Sequence, residues 1–243
     1  MPVIYEPKGK AREYSELAIN LYTGCSHKCK YCYCPAIMRK SLDDWAANPK
    51  ARTNILKQFE NDCKKLTTEE KKKELLFCFM SDPYQDDESA FITGQALLIC
   101  EKYELKNVQV LTKAGFRAIQ HFPILKRNGW KFGSTIIFRT EKLRQEWEPG
   151  APSIESRYEA VKEAKKQGIK NWVSIEPVVD ASEALKVMQD LKPYVDLWKV
   201  GKLNHNKVVE SQIDWKRFYE DAKVQLNGSN VYWKKDLLKF AVV

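Results

Sequence analysis

The sequence predicts an α/β fold: a partial (β/α)6 barrel of parallel strands with outer helices. Three observations predict it. Six short β-like runs alternate with longer amphipathic stretches along the 243 residues. A helical stretch separates each strand from the next, which implies parallel pairing and right-handed crossovers. One face of the strands is also too polar for a packed barrel interior. Six such units leave the barrel open on one side.

The expected strands are 17–22, 75–80, 107–112, 130–138, 170–176 and 195–201. The expected helices are 49–65, 90–103, 116–127, 153–167, 182–191 and 214–226. Ser153 suits an N-cap, Glu155 suits the first turn, and Gly168 suits a C′ position. With no linker, repeat or low-complexity segment, residues 1–243 are expected to form one domain. Its core spans about 17–205, with a C-terminal extension over 206–243.

Apolar residues make up 44% of the chain, ample for a core. No run approaches the roughly 18 apolar residues of a membrane span, and nothing resembles a signal peptide. A cytoplasmic location is therefore expected, with no membrane partner. The formal charge of +9 permits an anionic partner such as nucleic acid without requiring one.

Period-two alternation places Asn20, Tyr22, Gln109, Lys113, Ser134, Ser174, Glu176 and Lys199 inward. Buried polar groups need partners. Either they bond one another, with Glu176–Lys199 as one pair, or they hold a polar ligand.

Near the N-terminus, Cys25, Cys29 and Cys32 follow a C-x3-C-x2-C spacing, with Tyr31 before the third cysteine. Three thiolates on one short loop can ligate three irons of a 4Fe–4S cluster and leave the fourth open. Zinc is the alternative, completed by His27 or Cys34, but zinc sites usually repeat a C-x2-C pair. A disulfide framework is weaker: the cysteines number seven, and the chain is long. Cys34, Cys63, Cys78 and Cys100 read first as small buried hydrophobes.

The cysteine loop resembles that of the radical S-adenosylmethionine (SAM) superfamily. Met80-Ser81-Asp82-Pro83-Tyr84-Gln85 and Leu111-Thr112-Lys113 resemble segments of its spore photoproduct lyase-like branch. Ser134 and the series Glu148-Pro149, Pro152, Arg157 do likewise. The resemblance covers about residues 17–176. It implies a 4Fe–4S cluster on Cys25, Cys29 and Cys32, with SAM seated by Tyr31, Ser81, Asp82, Lys113 and Ser134. It also implies an electron donor such as flavodoxin or ferredoxin. The compact length and polar lumen suit a free nucleobase-type substrate better than a duplex. Among small members of the branch, queuine lyase, which cuts a C–N bond of queuine to give preQ1, suits the chain. Expected substrate-side residues are Tyr22, Tyr84, Glu176, Lys199, Asn204 and His205. The rivals are a radical enzyme acting on DNA or RNA, and a zinc-stabilised interaction domain without enzymatic activity.

Overall fold

A computed structural model describes residues 2–204 and 206–241. Its strands are β1 (Ile4–Tyr5), β2 (Leu17–Ile19), β3 (Tyr22–Thr23), β4 (Lys50–Ala51) and β5 (Glu74–Phe77). They continue as β6 (Asn107–Thr112), β7 (Lys131–Thr135), β8 (Asn171–Val178), β9 (Leu197–Lys202) and β10 (Val231–Trp233). Eight strands form one sheet in the order β1-β2-β5-β6-β7-β8-β9-β10. Only β1 is antiparallel to its neighbour; every other adjacent pair is parallel. The sheet is therefore an open, mostly parallel partial barrel with helices on its outer face. The six expected strands are β2 and β5–β9. The C-terminal extension adds a seventh parallel strand, β10.

Local chemistry explains the boundaries that moved. The first expected strand stops at Ile19, because the Asn20 side chain accepts from the Phe79 and Met80 amides at 2.9 and 3.0 Å. Tyr22 and Thr23 pair instead with Ala51 and Lys50, so the helix expected over 49–65 starts only at Ile55. The helix expected over 116–127 splits into Phe116–Ile119 and Phe122–Asn128. Pro123 has no amide hydrogen to continue the first ladder. Ser153 caps the helix Ile154–Lys166 by accepting from the Ser156 amide, and Gly168 beyond its end has φ +73°.

The core lies between the sheet and the helices. Phe77 packs edge-on against Phe59, and Phe132 against Phe122, with ring centroids 5.9 and 5.0 Å apart. Phe77 therefore points outward toward the helices, and Cys78, buried as the sequence suggested, lines the interior. Ser134 shares the outward face with Phe132 and is fully buried, whereas Thr135 faces inward.

The narrow end of the lumen is plugged. Trp172 fits there because its register partner is Gly133, whose added Cβ would collide with the indole. The Tyr14 ring lies 5.8 Å from that of Trp172. Gln109 and Lys199 both donate to the Tyr14 carbonyl, at 2.8 and 3.2 Å. Part of the expected inward polar set thus holds the N-terminal segment in place.

Candidate active site

The cysteine loop follows β3 and is fastened at several points. The Lys30 amide donates to the Trp147 carbonyl at 2.8 Å, and the Gly150 amide to the His27 carbonyl at 3.0 Å. Gly150 packs so closely that a Cβ would collide with the Ser26 carbonyl. The Ser26 amide donates to Gln85 Oε1 at 2.7 Å. The Tyr31 hydroxyl donates to Glu148, whose other oxygen pairs with Arg157 at 2.6 Å. Glu148 and Arg157 are both fully buried. Arg157 also donates to the carbonyls of Pro152 and Thr135. The Glu148…Arg157 series is thus a buried ion pair that anchors the cysteine loop to the barrel.

The Asp82 carboxylate is a second anchor. It accepts from the Thr112 hydroxyl at 2.6 Å, the Lys113 amide at 2.7 Å and the Tyr84 amide at 2.9 Å. His27 Nδ1 lies 3.6 Å away. Asp82 therefore ties the ends of two strands to the cysteine loop.

A cavity of about 640 Å³ opens at the C-terminal ends of the strands. Cys25, Cys29 and Cys32 line one part of it, with Tyr31, Ser81, Asp82 and Lys113. The Lys113 ammonium lies 5.6 Å from the Tyr31 ring centroid. Burial lowers the Lys113 pKa, but Cys29 and Glu148 outweigh it and leave the net shift upward. The remaining wall includes Tyr14, Ser174, Glu176, Asn204 and Lys234, with Tyr33, Cys34 and Ile37 beside the cysteines. Glu176 accepts from the Tyr14 hydroxyl and lies 3.6 Å from the Lys234 ammonium. Burial pushes the Glu176 carboxyl above its ordinary value, while Lys234 and Tyr14 oppose the shift.

These residues fit a cluster with SAM. Three thiols face one cavity from one loop, and among the described residues the buried Ser81 hydroxyl at the same wall has no nitrogen or oxygen hydrogen-bond partner. Burial pushes the Cys25 thiol up and the Cys29 thiol to about 12, so ligation must release protons there. A hydrogen bond from Cys34 lowers Cys32 to about 7. Among the described residues, no three His, Cys, Asp or Glu side chains converge as a single metal ion would need. That geometry suits a cluster, whose irons spread the three thiolates apart, better than zinc.

Residues 19–185 match the family model described as the radical SAM superfamily. The chain belongs to this superfamily. An uncharacterised protein of Methanocaldococcus jannaschii is 26% identical over 195 residues, covering 78% of this chain and 71% of that one. Spore photoproduct lyase with bound SAM and a dinucleoside spore photoproduct shares the fold. Its TM-score is 0.69 at 16% identity, over 95% of this chain and 79% of that one. Streptococcus suis SuiB bound to SAM has a TM-score of 0.65 at 15% identity, over 93% of this chain and 52% of that one.

The protein is thus a radical SAM enzyme that uses a 4Fe–4S cluster and SAM. Together they supply an electron and a carbon-centred radical able to remove hydrogen from a substrate. The chain's own residues bind, orient and exclude water. The cysteine loop would hold the cluster, and Lys113 offers a cation to a carboxylate.

Several expected site residues lie elsewhere. The Tyr22 hydroxyl donates to the Ser89 carbonyl at 2.6 Å and meets Thr93, packed against the helix Asp87–Lys102. Tyr84 is fully buried, with its hydroxyl 3.3 Å from His121 Nδ1. Neither lines the cavity, because the β3–β4 pairing and the turn at Pro83 send both outward. Ser134 faces the helices, where its hydroxyl has no partner among the described residues. Lys199 does not pair with Glu176. Its ammonium lies 4.2 Å from the Trp172 ring centroid, at the plugged end, and Lys234 takes the place beside Glu176. Asn204 lines the cavity and donates to Asp236 at 2.8 Å. His205 lies outside the described residues.

Sequence reasoning missed Tyr14, Thr135 and Lys234. Tyr14 and Lys234 come from segments outside the repeating strand–helix pattern, which gave no signal for them. Thr135 was missed by one position of strand parity.

Proposed function

We propose that this enzyme cleaves a C–N bond in a small nucleobase-type substrate, with queuine as substrate and preQ1 as product. One observation carries the reading: the Glu176 carboxylate shares a single cavity with the three cysteines. The cavity of about 640 Å³ falls within the ~300–1,000 Å³ of small-molecule sites. Cluster and SAM must share that space, so the remainder suits one free base. A deazaguanine edge presents adjacent N–H donors, and Glu176 is a buried acceptor steadied by Tyr14 and Lys234. Loss of one hydrogen atom would leave a carbon radical on the substrate; the C–N bond β to it would then break, forming a C=C bond in one fragment and a nitrogen-centred radical on the other, and return of the abstracted hydrogen atom to that nitrogen would give the amine of preQ1.

The test is Glu176→Gln, which keeps the size but turns one acceptor into a donor. Conversion of queuine to preQ1 should fall about 100-fold or more, because mismatched buried polar groups stay unpaired. Uncoupled SAM cleavage should persist. Binding of the base should depend little on salt. Steep salt dependence of substrate binding, with no turnover of any free base, would instead point to DNA or RNA, where phosphate contacts release counterions.

A further inference from the structure

The helix Asp87–Lys102 carries apolar side chains on both of its faces. On the inner face Ala90, Leu97 and Cys100 are buried in the core. On the outer face Phe91 and Leu98 are 64% and 45% exposed. Neither belongs to the core or to the side chains packed against it. A helix at a protein surface normally turns a polar face to water, whereas one apolar all round is covered on both sides. A third exposed ring, Phe116, starts the flanking helix Phe116–Ile119, whose Arg117 pairs with Asp87 at 3.2 Å. None of Phe91, Leu98 and Phe116 lines the active-site cavity.

The outer residues form a regular stripe. Glu88, Phe91, Gln95, Leu98 and Lys102 are spaced 3-4-3-4, the spacing of a coiled-coil seam. Glu88 and Lys102 each stand seven residues from Gln95, about 10.5 Å along the axis. Acid therefore lies at one end, base at the other, and a neutral amide at the centre. The helix dipole accounts for an acid at the start and a lysine at the end. It does not account for two apolar side chains exposed between them. Among the described residues, Glu88 forms no ion pair and Gln95 no side-chain hydrogen bond. Lys102 reaches Glu60 at 2.8 Å and is still 64% exposed.

We infer that this stripe is the contact face of a symmetric homodimer, in which the helix Asp87–Lys102 packs antiparallel against its copy. The charges select that occupant and that orientation. About a two-fold axis at Gln95, Glu88 of one protomer meets Lys102 of its partner, and the same pair recurs at the other end. Phe91 falls beside Leu98 of the partner. The two Gln95 amides meet at the centre, where each supplies both donors and an acceptor. A parallel copy would set acid on acid and lysine on lysine. The contact is isologous, so it closes at two protomers. Antiparallel helix dipoles favour the same arrangement. The inference is independent of the substrate.

The test is sedimentation velocity of the cluster-loaded enzyme under anaerobic conditions, from about 1 to about 200 μM at low salt. The wild type should form a reversible dimer with a micromolar dissociation constant, because a contact built on one helix pair and its flanks is smaller than an obligate interface. E88K and K102E, taken singly, should each weaken dimerisation about tenfold or more, since like charges then oppose at both ends. An equimolar mixture of the two variants should dimerise like the wild type, because both ends again pair acid with base. Phe91→Asp should stay monomeric throughout, with thermal unfolding matching that of the wild type at the lowest concentration. A wild type that remains monomeric at the highest concentration would overturn the inference. So would a dimer indifferent to Phe91→Asp, which would put the contact on another face. A mixture that dimerises no better than either variant alone would exclude the antiparallel pairing.

Discussion

Replacing Arg157 with Met tests whether the buried ion pair fastens the cysteine loop. Arg157 and Glu148 are fully buried and 2.6 Å apart. The Glu148 carboxyl is desolvated, yet Arg157, Lys113 and the Tyr31 hydroxyl together hold it below its ordinary value of 4.5. Met fills much of the arginine volume but leaves the carboxylate without its cation. Breaking one side of a buried pair costs about 3–5 kcal/mol. The carbonyls of Pro152 and Thr135 lose a donor as well, which pushes the cost toward the upper end of that range. Domain stabilities are roughly 5–15 kcal/mol, so the loss is a large fraction of the total. The assay is urea denaturation of wild type, Arg157→Met, and the double variant Arg157→Met with Glu148→Gln. The double variant should recover a large part of the loss, since no charge is then stranded. The sign with pH follows from the lowered Glu148 pKa. The pair contributes fully above about 4.5, and the contribution disappears as pH falls through the lower folded value. Arg157→Met should therefore narrow its stability gap to wild type in acid. A cost below about 1 kcal/mol, or a double variant no more stable than the single, would refute an anchoring role.

Cys29→Ala should abolish cluster incorporation and SAM cleavage together, read by iron content and by 5′-deoxyadenosine release; a variant retaining both would exclude Cys29 as a ligand. Lys113→Ala should weaken SAM binding by about 1.5–3 kcal/mol, roughly 10–100-fold, by equilibrium titration; unchanged affinity would remove Lys113 from the SAM site. Burial lowers the Lys199 pKa from 10.5 to about 8. Its folded form therefore binds fewer protons between those values, and stability falls as pH drops through that window. Lys199→Met should flatten this dependence, read as stability against pH between about 8 and 10.5; an unchanged profile would show that the ammonium is not desolvated.

The sequence by itself determined the cysteine loop, the alternation of strand and helix, and six of the seven parallel strands. These are local signals. Ligand spacing within eight residues and apolar periodicity within one element survive without knowledge of the rest of the chain. The Glu148…Arg157 series was also visible, as a pattern whose role only contact with Tyr31 explains. Tertiary structure alone decided which side chains enter the cavity. Along a strand the two faces alternate residue by residue, so a parity shift of one position, or one strand that ends early, reverses every later assignment in that strand. Cys78 therefore came in, while Tyr22, Tyr84 and Ser134 went out. The partner of Glu176 was equally hidden. Lys199 stood on the neighbouring strand, but Lys234 arrived from the far end of the chain, after β10. Tyr14 arrived from before β2 to cover the lumen. Contacts between segments some 220 residues apart leave no periodicity in the sequence, because only closure of the sheet brings them together.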